Sequence, residues 1–443
     1  MVRYASLKAL LGGLALLLQP AAASAADELL LVNAHIVDPE TREVRQGALL
    51  IRDGIIVAAP AKAPKDFAGR VLDLTGKWVI PGLNDLHVHS YGNLPTDFAP
   101  GTAGIAARVL SVGVTGFLDL FGDEETLHQL RARQHAGTLG GADIYASLSC
   151  LTAPKGHCTE YGVKTRTMAT PAEARATVAD LARRKPDIVK IVYQPSGKLP
   201  SIDKATLAAA VAEARKHGLK TIVHIGTWQE MRDAVEAGAT AVTHIPDTAM
   251  PAGLAELMAK RGTVFIPTLA VETDLADYAH DPAVLDNPMA RALTTPAVLA
   301  AYRTKEFKAQ MDASRPADEA RNALALASVK QAADAGVRIL LGTDAGNWGT
   351  IHGYSVHREL SIMVEAGLSP WQALAASTSL AGDFLGRRFG VQPGDEANLV
   401  VLDASPIDDI RNTRRIAMVI HHGRIVDREA LLASPAAALG GPK

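Results

Sequence analysis

The sequence predicts an α/β protein with a (β/α)8 TIM barrel and a small β-sandwich domain built from both termini. Eight short apolar runs, each followed by an Ala-rich stretch with charges at helical spacing, lie within residues 83–390. This alternation is typical of parallel βαβ units. Short β-branched runs broken by Gly, Asp and Asn occur on both sides of that region. We therefore expect a sandwich over 26–82 and 391–443 around a barrel over 83–390.

The eight runs define the predicted barrel strands. In order they read GLNDLHVH, TGFLDLF, ADIYASL, IVKIVY, KTIVHIG, AVTHIP, TVFIPTL and RILLGTDAG. The connection between the last two is long and helical, at about 274–337. An insertion there would lie over the functional face of a barrel as a lid, or pack outside it as a spacer or subunit contact.

The composition is that of an ordinary globular protein. The chain has 443 residues, 48% of them hydrophobic, and a formal net charge of −2. No block of like charge stands out, so the sequence gives no indication of a nucleic-acid or polybasic membrane partner.

The first 25 residues have the pattern of a secretory signal peptide. Arg3 and Lys8 precede a short apolar run that ends in Ala-x-Ala, which predicts cleavage after Ala25. An uncleaved anchor is the alternative. We expect a secreted, periplasmic protein, free of the membrane after cleavage. In an oxidising compartment Cys150 and Cys158 are candidates for a disulfide, with two free thiols as the alternative.

Ionisable residues occupy the ends of five predicted strands, although buried parallel strands are normally apolar. The carboxyl ends of barrel strands converge on one face, where catalytic groups lie. Alternation along a strand puts the first two histidines on one side. Imidazoles and a carboxylate directed at one point favour a divalent metal, most simply Zn²⁺, with Mn, Fe or Ni as alternatives. The residues are His87, His89, Lys190, His224, His244 and Asp344.

Lys190 needs a separate explanation, because an ammonium beside a metal would be destabilising. A buried lysine can lose its proton, and a neutral amine can react with CO₂ to give a carbamate. That anion has two oxygens, which could bridge two metals.

These motifs resemble the metal-dependent amidohydrolase superfamily. The resemblance rests on PGLNDLHVH, the strand-four lysine, VHIG, THIP and LLGTDAG, and it covers nearly the whole mature chain. The stretch GTDAGNWGTIHGYSVHRELSIMVEAGLSPWQAL resembles more narrowly the imidazolonepropionase-like and Xaa-Pro-dipeptidase-like branch.

The resemblance implies the roles of the ligands. His87, His89 and Asp344 would hold a first metal, and carboxylated Lys190 would bridge it to a second metal held by His224 and His244. A metal-bridging hydroxide would attack the substrate carbonyl, and Asp344 would pass the proton to the leaving amine. Members with one metal usually lack the strand-four lysine, so its presence favours two divalent ions.

One stretch departs from the branch. Instead of His-Ala-x-Gly and Glu-His-Gly, the chain has HIGTWQEM and THIPD, which bring in Trp228 and Asp247. This departure argues against a straightforward dipeptidase.

Other side chains are candidate substrate contacts. His157, in the loop after strand three, matches a histidine that relatives place near the substrate carbonyl, and we expect it to be catalytic or substrate-binding. Tyr193 would touch substrate or simply pack. Trp228 is expected to face the substrate, and His352 could reach the pocket. The residues that follow it, 357–359, are expected to hold loops in place.

The sequence thus favours an exported binuclear hydrolase of an amide or peptide bond in a dipeptide, short peptide or N-acyl amino acid. The alternatives are a cyclic-amide hydrolase or deaminase, a lactone or ester hydrolase and, least favoured, a non-catalytic metal-binding protein. The family often forms homo-oligomers.

Overall fold

The computed structural model describes residues 28–62, 64, 66–90 and 101–433. The predicted signal peptide lies outside these residues. Among the described helices, none is both long and apolar enough to cross a membrane.

Seventeen strands are present in the described residues. They are β1 (Glu28–Asp38), β2 (Glu43–Arg52), β3 (Ile55–Ala58), β4 (Arg70–Asp73), β5 (Trp78–Pro81), β6 (Leu83–Val88), β7 (Val114–Asp119), β8 (Asp143–Ala146), β9 (Cys150–Thr152), β10 (Arg166–Thr167), β11 (Ile188–Val192), β12 (Lys220–His224), β13 (Ala241–Thr243), β14 (Val264–Ile266), β15 (Leu399–Leu402), β16 (Ile416–His421) and β17 (Arg424–Ile425).

The α-helices of the same residues mostly follow strands, as βαβ units require. They are α1 (Gly101–Ser111), α2 (Glu124–His135), α3 (Pro171–Arg183), α4 (Lys204–Lys216), α5 (Trp228–Ala237), α6 (Leu254–Arg261), α7 (Leu269–His280), α8 (Pro288–Leu293), α9 (Pro296–Ala301), α10 (Lys305–Asp334), α11 (Tyr354–Glu365), α12 (Pro370–Ser377), α13 (Ser379–Leu385) and α14 (Arg428–Ala433). Local sequence fixes several starts: Asp203 caps α4, and Thr227 with Glu230 forms a capping box on α5.

Strands from both ends of the described chain form one sheet, in the order β17-β16-β15-β5-β1-β2-β3, with β4 paired to β1. This terminal sheet joins β5 to β15 antiparallel. Strands from both ends of the chain therefore lie side by side, as the sequence predicted. A two-layer sandwich and the domain boundaries stay predictions.

The central region is TIM-barrel-like. Its parallel strands form a three-stranded sheet, β6-β7-β8, and a six-stranded sheet, β10-β9-β11-β12-β13-β14. A buried cluster contains apolar side chains from both sheets, among them Leu86, Leu118, Ile188 and Ile222. Ile188 precedes Lys190 by two residues and Ile222 precedes His224 by two, so alternation places each pair on one strand face. The apolar cluster therefore packs beneath the polar strand ends.

The predicted eighth strand is irregular, and the two sheets do not close through a regular ladder. Only single bridges link Phe265 to Ile339 and Val88 to Ala345 in the described chain. Asp344 adopts a φ of 57°, which takes its backbone out of the extended conformation. A Cβ on Gly342 would come within 2.7 Å of the His87 Cβ, so the segment passes very close to β6.

Residues 274–337 are mostly helical, from α7 to α10. Several of their side chains form a buried cluster with Ile351 and Tyr354. The insertion thus has a core of its own beside α11. Its action as a lid stays a prediction.

Candidate metal centre

The two histidines of the first barrel strand face the same carboxylate. His87 is fully buried, and its Nδ1 lies 2.7 Å from the Thr243 Oγ1 on β13. This contact leaves Nε2 directed at Asp344, with 3.2 Å between Nε2 and Oδ1. The His89 Nε2 lies 2.9 Å from the same oxygen. The three residues thus form a group that could hold one metal ion.

The Asp344 carboxylate lies at the centre of the group. The Asp344 N–H donates to the His87 carbonyl at 2.8 Å, which fixes the loop against β6. Two imidazole nitrogens lie within 3.2 Å of the buried Oδ1. Ligand atoms around a tetrahedral zinc ion are roughly 3.3 Å apart, given bonds of about 2.0 Å. The spacing therefore fits atoms that share a cation.

Lys190 lies inside β11, with its Cα opposite Ile222 of β12 and Cys150 of β9. Its Nζ is 3.4 Å from the His87 Nε2, and the residue is buried. Burial lowers the pKa of the Lys190 ammonium from 10.5 to about 7, despite the opposing charge of Asp344. Burial at this position therefore favours the neutral amine.

The remaining two histidines lie beside one another. The ring centroids of His224 and His244 are 4.3 Å apart, and His244 is 4.9 Å from His87. The Nε2 of His224 lies 3.2 Å from the Gln194 Oε1, and the Nδ1 of His244 lies 3.1 Å from the Thr268 Oγ1. The ends of β12 and β13 thus supply the other side of the cluster.

Burial keeps these imidazoles neutral. It lowers the pKa values of His87 and His224 well below 6.5, with nearby Lys190 and His244 adding to the effect, and that of His244 to about 3. For Asp344, burial favours the neutral acid, but the hydrogen bond and charge of His89 outweigh it and lower the pKa of the carboxyl. Neutral imidazoles around a carboxylate are ligands that zinc and similar ions prefer, so these residues fit such ions.

Buried polar groups hold the candidate ligands in place. Asp85 accepts hydrogen bonds from the backbone N–H of Thr343 at 3.0 Å and of His87 at 3.2 Å, which ties β6 to the Asp344 loop. Burial raises the pKa of Asp85 to about 6. Glu359 accepts from the N–H groups of Leu269 and Ala270, so it fixes the start of α7.

A cavity of about 480 Å³ opens above the cluster. It includes His157, whose Nδ1 lies 2.7 Å from the Glu160 Oε1, so this candidate is at the cavity wall. Among its other lining residues are Phe121, Tyr161, Gln194, Asp247, Glu272, Asn347 and Trp348. Such a volume suits a small organic substrate.

Three candidate substrate contacts, Tyr193, Trp228 and His352, are not among the described residues that line the cavity. Lys190 and Val192 line the cavity, so strand alternation directs Tyr193 to the opposite side, where its hydroxyl donates to Asp233 at 2.8 Å. Tyr193 therefore packs away from the cavity, which is the second of the two alternatives that the sequence left open.

Trp228 starts α5, and the turn of the helix buries its ring. Its indole N–H donates to the Thr248 carbonyl at 2.7 Å. His352 is directed at the back of His89, with its Nε2 3.1 Å from that residue's carbonyl oxygen. Neither side chain lines the cavity, so both act as supports of the surrounding loops.

The residues after His352 hold structure together, as expected. His357 is buried between Thr413 and the Val112 carbonyl, and Arg358 pairs with Asp274 and Asp277.

Several residues at the site were not anticipated from the sequence. Gln194, Thr243 and Thr268 contact the histidines, yet each is a common polar residue at a strand end. Glu272 lies on the cavity wall beside α10, whose Arg321 is 3.4 Å from it. For Gln194, the sequence offered one indication of a place at the site, namely its position four residues after Lys190.

Cys150 and Cys158 are joined by a disulfide. The bridge spans the loop that carries His157, and Cys158 itself lines the cavity. The loop with the candidate catalytic histidine is thereby tied to β9.

The candidate ligands lie at the carboxyl ends of parallel strands, where TIM-barrel-like folds carry their catalytic groups. The sequence matches the profile of the Amidohydrolase family over residues 78–426, and the chain belongs to that family. It is a metal-dependent hydrolase acting on C–N bonds.

The chain is also similar to individual proteins over most of its length. An uncharacterized protein of Mycobacterium tuberculosis is 26% identical over 394 residues, covering 85% of this chain and 91% of the relative. The crystal structure of a Xaa-Pro dipeptidase with bound methionine has a TM-score of 0.72 at 22% identity, covering 90% of this chain and 99% of that one. A candidate prolidase from Bifidobacterium longum has a TM-score of 0.71 at 25% identity, covering 92% and 98%.

Proposed function

We propose that this chain is a binuclear metal-dependent hydrolase that cleaves an amide or peptide bond in a dipeptide, short peptide or N-acyl amino acid. The observation that carries the proposal is the cluster around Asp344, where three imidazoles lie within 3.8 Å of the carboxylate oxygens. The similarity to a Xaa-Pro dipeptidase and a candidate prolidase supports a peptide-like substrate.

The described side chains divide into two ligand sets. His87, His89 and Asp344 would hold one divalent ion, and His224 and His244 would hold a second. Zinc suits this donor set best. Two such ions would supply a nucleophile from water near neutral pH and polarise the substrate carbonyl.

Lys190 would join the two sets as a carbamate. The neutral Nζ would attack the carbon of CO₂: as the N–C bond forms, one C=O π pair moves onto oxygen, and a proton passes from the nitrogen to water, which gives an anion with two oxygens. The lowered pKa of Lys190, caused by burial, supports this step because the amine must be unprotonated to react.

Asp344 would be the residue that moves a proton. Its carboxylate would accept the proton of the attacking water and donate it to the leaving nitrogen. His157 would stabilise charge on the substrate oxygen from the cavity wall. Its Nδ1 lies 2.7 Å from the Glu160 Oε1, which leaves Nε2 as the ring nitrogen available to the substrate.

Export is part of the proposal. The signal-like residues 1–25 support it, and so does the disulfide, since disulfides persist in oxidising compartments. The mature protein would then be periplasmic or secreted, with a homo-oligomer as an open expectation.

The test combines metal analysis with substrate screening on the mature protein. Metals per chain are measured by elemental analysis, and hydrolysis is followed on a library of dipeptides and N-acyl amino acids. We expect the double variant His87→Ala, His224→Ala to lose two metal equivalents relative to the unaltered chain. We expect Lys190→Ala and Asp344→Asn to lose activity.

Lys220→Ala is the matched control. Lys220 also lies on a barrel strand, but at its start, where its Nζ donates to the Asp383 carbonyl at 3.2 Å. Full activity and metal content are expected in this variant. Loss of one equivalent or none from a folded double variant would overturn the binuclear assignment. Turnover confined to cyclic amides, aminated rings or lactones would overturn the peptide substrate in favour of those reactions.

A further inference from the structure

A second cluster of metal-ligating side chains lies at the opposite end of the barrel strands. Asp143 is the first residue of β8, and His421 and His422 lie at the turn between β16 and β17 of the terminal sheet. The cluster around Asp344, which we call the catalytic cluster, lies at the carboxyl ends of the strands. None of these three residues lines the cavity above it. The two clusters are therefore separate.

The donor atoms are close enough to share one ion. The His422 Nε2 lies 3.0 Å from the Asp143 Oδ1, and the His421 Nε2 lies 3.6 Å from the Oδ2. One ligand atom from each residue lies within 4.8 Å of the other two. These spacings lie on either side of the roughly 3.3 Å expected between ligands of a tetrahedral zinc ion.

Asp143 lies within ion-pair distance of both imidazoles, but its hydrogen-bond contact is with His422. The His421 Nε2 is buried and has no hydrogen-bond partner among the described residues. Its 3.6 Å separation from Asp143 is too long for a hydrogen bond. The two imidazole centroids are only 4.0 Å apart, so two protonated rings would repel each other. A bound cation would accept the lone pairs of both rings and balance the buried carboxylate.

The backbone brings both imidazoles to one side. Consecutive strand residues normally point to opposite faces, but His422 has a φ of 48°, in the left-handed region. Its N–H donates to the Asn398 Oδ1 at 2.7 Å, which stabilises this turn.

The cluster is accessible to ions from solvent. All three residues line a cavity of about 1020 Å³ between the terminal sheet and the barrel. The His422 side chain is 51% exposed, whereas His421 is 9% exposed and Asp143 is 6% exposed. Water could therefore complete the coordination from the cavity side.

We propose that Asp143, His421 and His422 form a further divalent transition-metal site that ties the terminal sheet to the barrel. Two imidazoles and one carboxylate select zinc, nickel, cobalt or copper rather than magnesium or calcium. The site does not depend on the proposed hydrolytic function.

Zinc titration of the full chain tests the proposal. Bound zinc is counted by competition with a chromophoric chelator, in the unaltered protein and in the double variant His421→Gln, His422→Gln. We expect the variant to bind one zinc equivalent fewer than the unaltered protein and to keep the remaining zinc equivalents. Its hydrolysis rate should stay within about twofold of the rate of the unaltered protein. Equal zinc counts in the two proteins would overturn the site.

The control is His217→Gln. The His217 Nε2 lies 3.1 Å from a Glu213 oxygen, so it is also a His–carboxylate pair, and it belongs to neither of the candidate three-ligand groups. This variant should keep every zinc equivalent.

A measurement on the unaltered protein covers the case in which the double variant does not fold. Zinc-soaked crystals should show an anomalous-scattering peak about 2 Å from all three ligand atoms. Peaks at the catalytic cluster with none between Asp143 and the two histidines would refute the proposal.

Discussion

Replacing Lys190 by methionine should change how the stability of the metal-free protein depends on pH. The side chain is buried, and burial lowers its pKa from 10.5 to about 7. Between these values the unfolded chain binds more protons than the folded chain, so the free energy of unfolding rises with pH. Below about pH 7 both states are protonated, and the folded state carries the full penalty of a buried ammonium.

The magnitude follows from the shift. Each pKa unit corresponds to about 1.4 kcal/mol, so the whole interval is worth about 5 kcal/mol of unfolding free energy. Lys190→Met keeps the length of the side chain and removes its charge. The variant should therefore be more stable than the unaltered protein near neutral pH, and the gap should close as the pH approaches 10.5.

Urea unfolding of both proteins, free of metal and CO₂, measures this gap from about pH 6 to about pH 11. Subtracting the unfolding free energy of one protein from that of the other cancels the contribution of groups that titrate in both. The imidazoles of His87, His224 and His244 do not interfere, because burial places their pKa values below the interval. A stability gap that stays constant with pH would refute the assignment of a neutral amine at Lys190.

Three further variants test other parts of the proposal. Asp344→Asn should reduce kcat by a factor of about 10² to 10⁴ through loss of proton transfer, with an unchanged circular dichroism spectrum; near-normal kcat would exclude the proposed role. Tyr193→Phe should lower the unfolding free energy by about 1 kcal/mol, through loss of the bond to Asp233, and leave KM unchanged; a large rise in KM would restore the substrate contact. Opening the disulfide with Cys150→Ser and Cys158→Ser should lower the unfolding free energy by about 2–3 kcal/mol, as expected for so short a loop, and an unchanged urea midpoint would contradict this.

The clustering of the candidate ligands could be predicted because two simple periodicities determine it. Alternation along a strand and the convergence of carboxyl ends are properties of the backbone, so His87, His224 and Asp344 could be assigned to one face from sequence alone. Lys190 could be identified for a different reason. Burying a charged side chain within an apolar strand costs free energy, so a lysine there indicates a functional role.

The side chains around the ligands could not be assigned in this way. Tyr193 directly follows β11, and a shift of one residue along the strand decides whether its ring enters the cavity or packs against Asp233. Trp228 depends on where α5 starts, because each helical residue turns the side-chain direction by about 100°. The pairing of Asp143 with His421 and His422 joins positions far apart in the chain, and neither motif alone indicates it.

Backbone strain links these observations. His244, Thr268 and Asp344 all have positive φ angles, at 76°, 54° and 57°, and all belong to the catalytic region. Each such conformation costs a non-glycine residue about 1–2 kcal/mol. Local sequence preference opposes these angles, so packing of the barrel must supply the energy that maintains them. His422 has the same feature at the second cluster. The positive φ angles direct these side chains into the two clusters. A metal ion bound by those side chains would explain why both clusters keep a backbone conformation that most non-glycine residues avoid.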